Sequence, residues 1–329
     1  MERIAVIGAG SWGTALAMLL ADKGNEVSIW AYEEELVEEI NTKRVNARYH
    51  PDVILPERIT ASHELGEVVR DARYIINVVP TQYTRDVFLR LSTHIPSGAL
   101  IISASKGIER DSLKTVTEII KEITGLEAAA LSGPSFASEV IQRRPTAVTI
   151  ATHDPEIAVL LQRLFNTDYF RVYTNDDVLG VELGGALKNV MAIASGISDG
   201  LGLGSNARAA LITRGLAEMT RLGVAMGAKE KTFWGLSGLG DLVLTCTDRL
   251  SRNHTVGYRL GRGERLDDIL SGMIMIAEGI ATAQAAHELS KRYGVEMPIV
   301  EQVYKVIYEN KNPLSAVRDL MTRSLKSEY

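Results

Sequence analysis

The stretch IAVIGAGSWGTALA, Ile4 to Ala17, constrains this chain more than any other. A short run of Ile, Ala and Val meets Gly8, Gly10 and Gly13 and passes straight into a helix-forming segment. Glycines so spaced between a strand and a helix answer three geometric demands. The first permits a tight turn, the second lets backbone approach a pyrophosphate, and the third lets helix and strand pack closely. The N–H groups and dipole at the helix start then favour the anion. Taken by itself the pattern is an ordinary glycine-rich turn. After a strand and before a helix, it reads as a dinucleotide site.

The segments that follow set the architecture. Apolar runs at 4–8, 27–30, 74–79, 100–104, 128–131 and 147–151 are short and barely alternate. Strands buried on both faces of a parallel sheet have that character. Helix-like stretches such as TALAMLLADKG, EELVEEINTKR and DSLKTVTEIIKEI separate them. Strand, helix, strand in repetition predicts an α/β fold with a doubly wound, mostly parallel sheet of Rossmann type. From Val178 the pattern is helical throughout, as in VLGVELGGALKNVMAIASGI and IATAQAAHELSKRYG. The expected organisation is therefore a dinucleotide-binding domain over 1–177 and an all-α domain over 178–329, reasonable for 329 residues.

Composition excludes some functions. A net charge of −5 argues against general binding to nucleic acid or anionic membranes. Cys246 is the only cysteine, so no internal disulfide forms and a reducing, cytoplasmic setting is expected. The opening MERIAVIGAG lacks the apolar core of a signal peptide, and no uncharged run of membrane-spanning length is seen. No second His or Cys accompanies His254 at a metal-ligand spacing, so no metal is expected and His254 reads as structural.

The second strand should end near the adenosine ribose, where an acid about 20 residues past the glycines marks NAD and a cation marks NADP. Here the chain reads Trp30-Ala31-Tyr32-Glu33-Glu34-Glu35. Glu33 fits the position of the ribose acid; equally, three acids favour a helix start facing water. Arg44 and Arg48 are close enough in sequence to reach a 2′-phosphate, so NAD and NADP both stay open.

Three strand ends carry polar groups, where ligands bind in open α/β sheets. They are NVVPTQ, SASKGIE with Lys106, and LSGPSFASEV with Gly133 and Ser135. Lys106 is either a ligand group or a solvent-facing lysine before a glycine. In the second half Lys188 and Asn189 fall among Gly, Ala, Leu, Val and Met. Burial would lower the pKa of such a lysine toward the range of a general acid or base, unless it snorkels from a half-exposed face. Asp241 offers a carboxylate to orient it. Ser251-Arg252-Asn253 suits a phosphate, because a guanidinium binds two oxygens at once; the plainer reading is a capped helix start with a surface arginine. Glu278 precedes a glycine in an apolar stretch, and the methionines before it read as core.

Together GAGSWGTALA, ASKGIE, LSGPSFA, ELGGALKNVMAIASGISDGLG, GLSGLGDLVLTC, SRN and AEGIATA resemble the bacterial-type NAD(P)-dependent glycerol-3-phosphate dehydrogenases, in order and over nearly the whole chain. The resemblance implies a Rossmann domain, a helical substrate domain, and reversible reduction of dihydroxyacetone phosphate to sn-glycerol 3-phosphate for glycerophospholipid synthesis. It implies Lys188 as proton donor and acceptor with Asp241. Lys106, Gly133, Ser135, Ser251, Arg252 and Asn253 would contact substrate. Gly8, Gly10, Ser11, Trp12, Gly13, Tyr32, Lys106, Ala137, Arg252, Ile276 and Glu278 would contact NAD or NADP. A homodimer is a family-level expectation. Tyr32 departs from the Arg or His that many members carry there, which weakens the case for a strong NADPH preference. The alternative is a β-hydroxyacid dehydrogenase of the same two-domain architecture, which needs a carboxylate site in place of a phosphate site.

Overall fold

The computed structural model describes residues 1–273, 277–325, 327 and 328. It divides into two units, Met1–Lys106 with Lys114–Glu182, and Gly107–Leu113 with Leu183–Tyr329. The first unit runs β1 (Arg3–Ile7), α1 (Ser11–Asp22), β2 (Glu26–Trp30), α2 (Glu34–Lys43), β3 (Val45–Asn46), β4 (His50–Ile54), β5 (Ile59–Ser62), α3 (Leu65–Val69), β6 (Tyr74–Asn77), α4 (Thr81–Leu91), β7 (Leu100–Ser103), α5 (Val116–Thr124), β8 (Ala128–Ser132), α6 (Ala137–Ile141), β9 (Thr146–Ala151), α7 (Pro155–Phe165) and β10 (Phe170–Asn175).

Eight strands form one sheet in the order β10-β9-β8-β7-β6-β1-β2-β5. Every pair in it is parallel except β8 with β9. The chain travels outward from β1 through β2 to β5 and then crosses to β6 on the other side of β1. That reversal is the switch point at which open α/β sheets bind ligands. Register sets Ile7 beside both Trp30 and Asn77, and Asn77 beside Ser103. The glycine turn, Tyr32–Glu33, Val78 and Lys106 therefore all leave the sheet at its carboxyl end.

The central strands are buried on both faces: Ala5, Val6 and Ile7 of β1 and Ile75 and Ile76 of β6 are inaccessible to solvent. One cluster packs Leu16, Leu19 and Leu20 of α1 against β1, β2 and β9, and a second packs Phe88, Leu91 and Ile120 against the opposite face. Two sheet strands escape the sequence pattern. β5 and β10 alternate between buried and exposed residues, as edge strands do, and neither is a continuous apolar run. The expected helix DSLKTVTEIIKEI forms only from Val116, where Thr115 and Glu118 make a capping box. Ahead of it, Leu113 is left-handed (φ 61°).

The second unit is helical: α8 (Val178–Gly200), α9 (Gly204–Ala225), α10 (Glu230–Phe233), α11 (Asp241–Thr247), α12 (Arg252–Gly261), α13 (Leu266–Ser271), α14 (Glu278–Arg292), α15 (Pro298–Tyr308) and α16 (Pro313–Met321). The expected boundary at Val178 is the first residue of α8, whereas the units divide one turn later within that continuous helix, and Gly107–Leu113 joins the second unit. By length and mean hydropathy, 1.3 over an 18-residue window, α8 would suffice to cross a membrane; 94% of that window is buried inside the protein, as for a core helix. It meets α12 backbone to backbone. A Cβ at Gly196 would lie 2.0 Å from the His254 carbonyl oxygen, and one at Gly257 would lie 2.0 Å from that of Ile193. Only glycine allows this approach, and it fixes the start of α12 against the middle of α8.

Candidate active site

The turn between β1 and α1 has the predicted geometry. Gly8 is at φ 121°, where only glycine rests without strain. A Cβ on Gly13 would sit 2.0 Å from the Gly8 carbonyl oxygen, so helix and strand could not come this close with any other residue. A Cβ on Gly10 would meet nothing within 4 Å, so the space above it is open. No side chain caps the first turn of α1. The buried Trp12 Nε1–H has no hydrogen-bond acceptor in the protein. Open space, uncapped helix N–H groups and an orphaned donor together fit a dinucleotide pyrophosphate.

The β3–β4 hairpin, absent from the sequence expectations, braces this turn. Asn46 Nδ2 donates to the Ala9 carbonyl and to Thr14 Oγ1, both at 2.9 Å. His50 Nε2 lies 3.0 Å from the Ser11 carbonyl and 3.1 Å from Ser11 Oγ. The carbonyl accepts, so Nε2 carries the proton. Burial lowers the His50 pKa, and the Ser11 bond opposes that. At the end of β2, Tyr32 is 77% exposed and meets Trp30 edge-on. Glu33 is the N-cap residue of α2 and pairs with Arg48 at 2.7 Å. Arg44 takes another course: it is left-handed at the end of α2 and donates to the Ile59 carbonyl at 2.7 Å and to that of Pro56.

At β8 the Gly133 carbonyl gathers two side chains, Lys106 Nζ at 2.8 Å and Ser135 Oγ at 2.9 Å. Gly133 is at φ 143°, and a Cβ there would lie 2.9 Å from the Val148 Cα. Ala137, half-buried, opens α6.

In the second unit Lys188 is buried, not snorkelled: it is 6% exposed, with Nζ 2.5 Å from Asp241 Oδ1 and 2.8 Å from Thr245 Oγ1. Asp241 is 1% exposed. Thr245 also donates to the Asp241 carbonyl at 2.6 Å, locking one turn of α11 beneath the ion pair. The sequence reading missed Thr245, whose signal is its place one helical turn after Asp241 in DLVLT.

Beside it runs a second relay. Asn253 Nδ2 donates to Asn189 Oδ1 at 2.9 Å, and Asn253 Oδ1 accepts from the Gly279 N–H at 2.9 Å. Asn253 thus ties α8, α12 and the start of α14 together, a structural duty that the phosphate reading did not foresee. Ser251 caps α12 by accepting from the His254 N–H at 3.2 Å. Arg252 stands exposed as the first residue of α12. His254 is buried against Asp199 at 2.9 Å, and Asp199 also holds Arg208 at 3.0 Å. Glu278 begins α14; Ile276 lies outside the described residues. Among the described residues no three His, Cys, Asp or Glu side chains are grouped to hold a metal ion.

Two buried carboxyls were not anticipated. Glu182 accepts from the Thr117 N–H at 2.9 Å and from Thr117 Oγ1 at 2.5 Å, and burial raises its pKa to about 7. Glu218 accepts from the Ile299 and Val300 N–H groups at the start of α15 and is raised by burial to about 7 as well.

Known proteins resemble this chain over nearly its whole length. The family described as NAD-dependent glycerol-3-phosphate dehydrogenase N-terminus matches residues 3–158, and the corresponding C-terminus family matches 177–318. The chain is 58% identical to the glycerol-3-phosphate dehydrogenase [NAD(P)+] of Citrifermentans bemidjiense, covering 99% of each chain. It is 56% identical to that of Syntrophotalea carbinolica, again over 99% of each. The crystal structure of glycerol-3-phosphate dehydrogenase from Coxiella burnetii matches with a TM-score of 0.95 at 42% identity, covering 98% of this chain and 99% of that one. The chain belongs to the NAD-dependent glycerol-3-phosphate dehydrogenase family.

Proposed function

We propose that this chain is an NAD(P)-dependent oxidoreductase that reversibly reduces dihydroxyacetone phosphate to sn-glycerol 3-phosphate. The observation that carries the reading is the buried Lys188–Asp241–Thr245 cluster in a chain more than half identical to enzymes of that name.

The cofactor, when bound, supplies the hydride. Gly8, Gly10, Ser11, Trp12 and Gly13 hold its pyrophosphate, with Tyr32, Lys106, Ala137, Arg252 and Glu278 as further contacts. Lys188 is the acid for the carbonyl oxygen. Its ammonium donates a hydrogen bond to the oxygen, stabilises the charge growing there, and passes the proton as the alkoxide forms; the reverse reaction returns it. Asp241, itself buried, compensates the ammonium's charge, and the Thr245 hydroxyl fixes the direction of Nζ. Arg252 binds the substrate phosphate from the first position of α12, and Ser251 and Asn253 hold that helix start in place. Lys106, Gly133 and Ser135 complete the substrate contacts. Grip on the remote phosphate orients the reacting carbonyl, so binding energy serves the chemical step.

The product is a phosphorylated glycerol backbone suited to glycerophospholipid synthesis, and the setting is cytoplasmic. The buried Cys246, its thiol pKa pushed up to about 12, accords with a chain that needs no disulfide chemistry. A homodimer is the proposed assembly, checked by light scattering. The function is tested by oxidation of NADH and NADPH with dihydroxyacetone phosphate, unphosphorylated dihydroxyacetone and 3-keto acids side by side. Turnover confined to the phosphorylated ketone is expected; equal or faster turnover of a keto acid points to the β-hydroxyacid alternative.

A further inference from the structure

Three successive acids, Glu33 to Glu35, follow β2 and open α2, yet relatives of this chain are named for both NAD and NADP. The hairpin beside them supplies an account of how the 2′ position of the adenosine ribose is read. Glu33 stands where the ribose acid of a dinucleotide fold stands, about 20 residues past the glycines. Its carboxylate is held by Arg48 Nη1 at 2.7 Å, and both side chains are nearly half exposed, 42% and 45%. Arg48 sits in the turn joining β3 to β4, its guanidinium also 5.6 Å from the Tyr49 ring centre. The residues flanking that turn, Asn46 and His50, are bonded to Ala9, Ser11 and Thr14. The guanidinium is therefore carried by a frame fixed to the glycine turn itself. Arg44 is not available for the same task, since it is engaged with the carbonyls of Ile59 and Pro56. Tyr32 brings no charge.

A guanidinium in contact with the group that binds a ribose 2′-hydroxyl is within reach of a phosphate on that hydroxyl. We propose that Arg48 is the residue that admits NADP, with Glu33 as its resting counter-ion. NAD binds with Glu33 accepting from the 2′-hydroxyl. NADP binds when the Arg48 guanidinium leaves Glu33 for the 2′-phosphate, where a doubly bonded, doubly charged partner outcompetes a single exposed carboxylate. An exposed ion pair is weak, so the exchange meets little resistance. Without Arg48, the unpaired Glu33 would face the 2′-phosphate and repel it. The proposal rests on the dinucleotide reading of the glycine turn.

Equilibrium titration of NADH and NADPH by fluorescence, repeated with 5′-AMP and adenosine 2′,5′-bisphosphate as competitors, tests it without turnover. Arg48→Ala should weaken NADPH and the bisphosphate about tenfold or more while NADH and 5′-AMP move less than about twofold. Arg48→Lys should recover part of the loss, and Glu33→Gln should weaken NADH without weakening NADPH. An equal loss of both cofactors in Arg48→Ala, unchanged NADPH binding in that variant, or a wild-type chain that binds NADH but not NADPH would overturn the proposal. Wild-type protein that binds neither dinucleotide would instead overturn the reading of the glycine turn on which it rests.

Discussion

The glycine turn and the Lys188 cluster, to which the proposed function gives the cofactor and the proton respectively, are opposite constructions. The turn is made of backbone, and side chains are absent wherever the ligand or the helix must come close: Gly10 faces open space and Gly13 touches Gly8. The Lys188 cluster is made of side chains taken out of water, a buried ammonium against a buried carboxylate with a hydroxyl to aim it. A backbone site binds an anion with partial charges that carry no desolvation cost of ionisation. A buried ion pair brings a full charge and a transferable proton, at a cost that only its partner offsets. Holding a pyrophosphate needs the first construction, and giving a proton to a ketone needs the second.

The largest effect expected from breaking this contrast is at Asp241. Asp241→Ala strands the Lys188 charge in the interior and should cost about 3–5 kcal/mol of stability. Lys188→Met with Asp241→Leu removes both charges and should recover most of that. Denaturant titration of the two variants measures the difference; equal destabilisation would mean that packing, not charge, holds the cluster.

The next effect concerns the two buried carboxyls. Glu182 has a folded pKa of about 7 against an ordinary 4.5, so the folded chain keeps a proton that the unfolded chain loses. Stability should therefore fall as pH rises from about 4.5 to about 7 and level off above it, by about 3 kcal/mol at 1.36 kcal/mol per unit. Glu218 in the second unit should act in the same direction. Glu182→Gln should flatten its share of that slope. A slope unchanged in the variant would show that the carboxyl ionises equally in both states.

At the turn, Gly13→Ala should cost about 1–3 kcal/mol by overpacking against the Gly8 carbonyl. It should also abolish detectable NADH binding while leaving the pH-dependence of stability as in the wild type. Full cofactor affinity in that variant would show that the close helix–strand contact does not shape the pyrophosphate site.

The same contrast explains what could be read from the amino-acid order. The glycine turn lies within one short stretch, and each of its glycines is demanded by local backbone geometry. The Lys188–Asp241 bond joins residues 53 positions apart. An isolated apolar helix with a lysine in it shows that something must compensate the charge, and the family resemblance singles out Asp241. Thr245 is found only when α11 is folded. The buried strands announced themselves by unbroken apolar runs, whereas β5 and β10, with one face in water, did not. The β3–β4 hairpin has few residues and little apolar content, so its role shows only in the bonds from Asn46 and His50. Asn253 reads with Ser251 and Arg252 as part of a phosphate cluster; its bonds to Asn189 and Gly279, far away in the sequence, are visible only in the fold.

The division of labour between the two constructions is tested most directly by titrating NADH into the Lys188→Met, Asp241→Leu double variant and measuring turnover of dihydroxyacetone phosphate in the same sample. Wild-type affinity for NADH with turnover reduced about a thousandfold or more is expected. Turnover within about tenfold of the wild type would contradict the role of Lys188, and loss of NADH binding in a variant that still unfolds cooperatively would contradict the independence of the glycine turn.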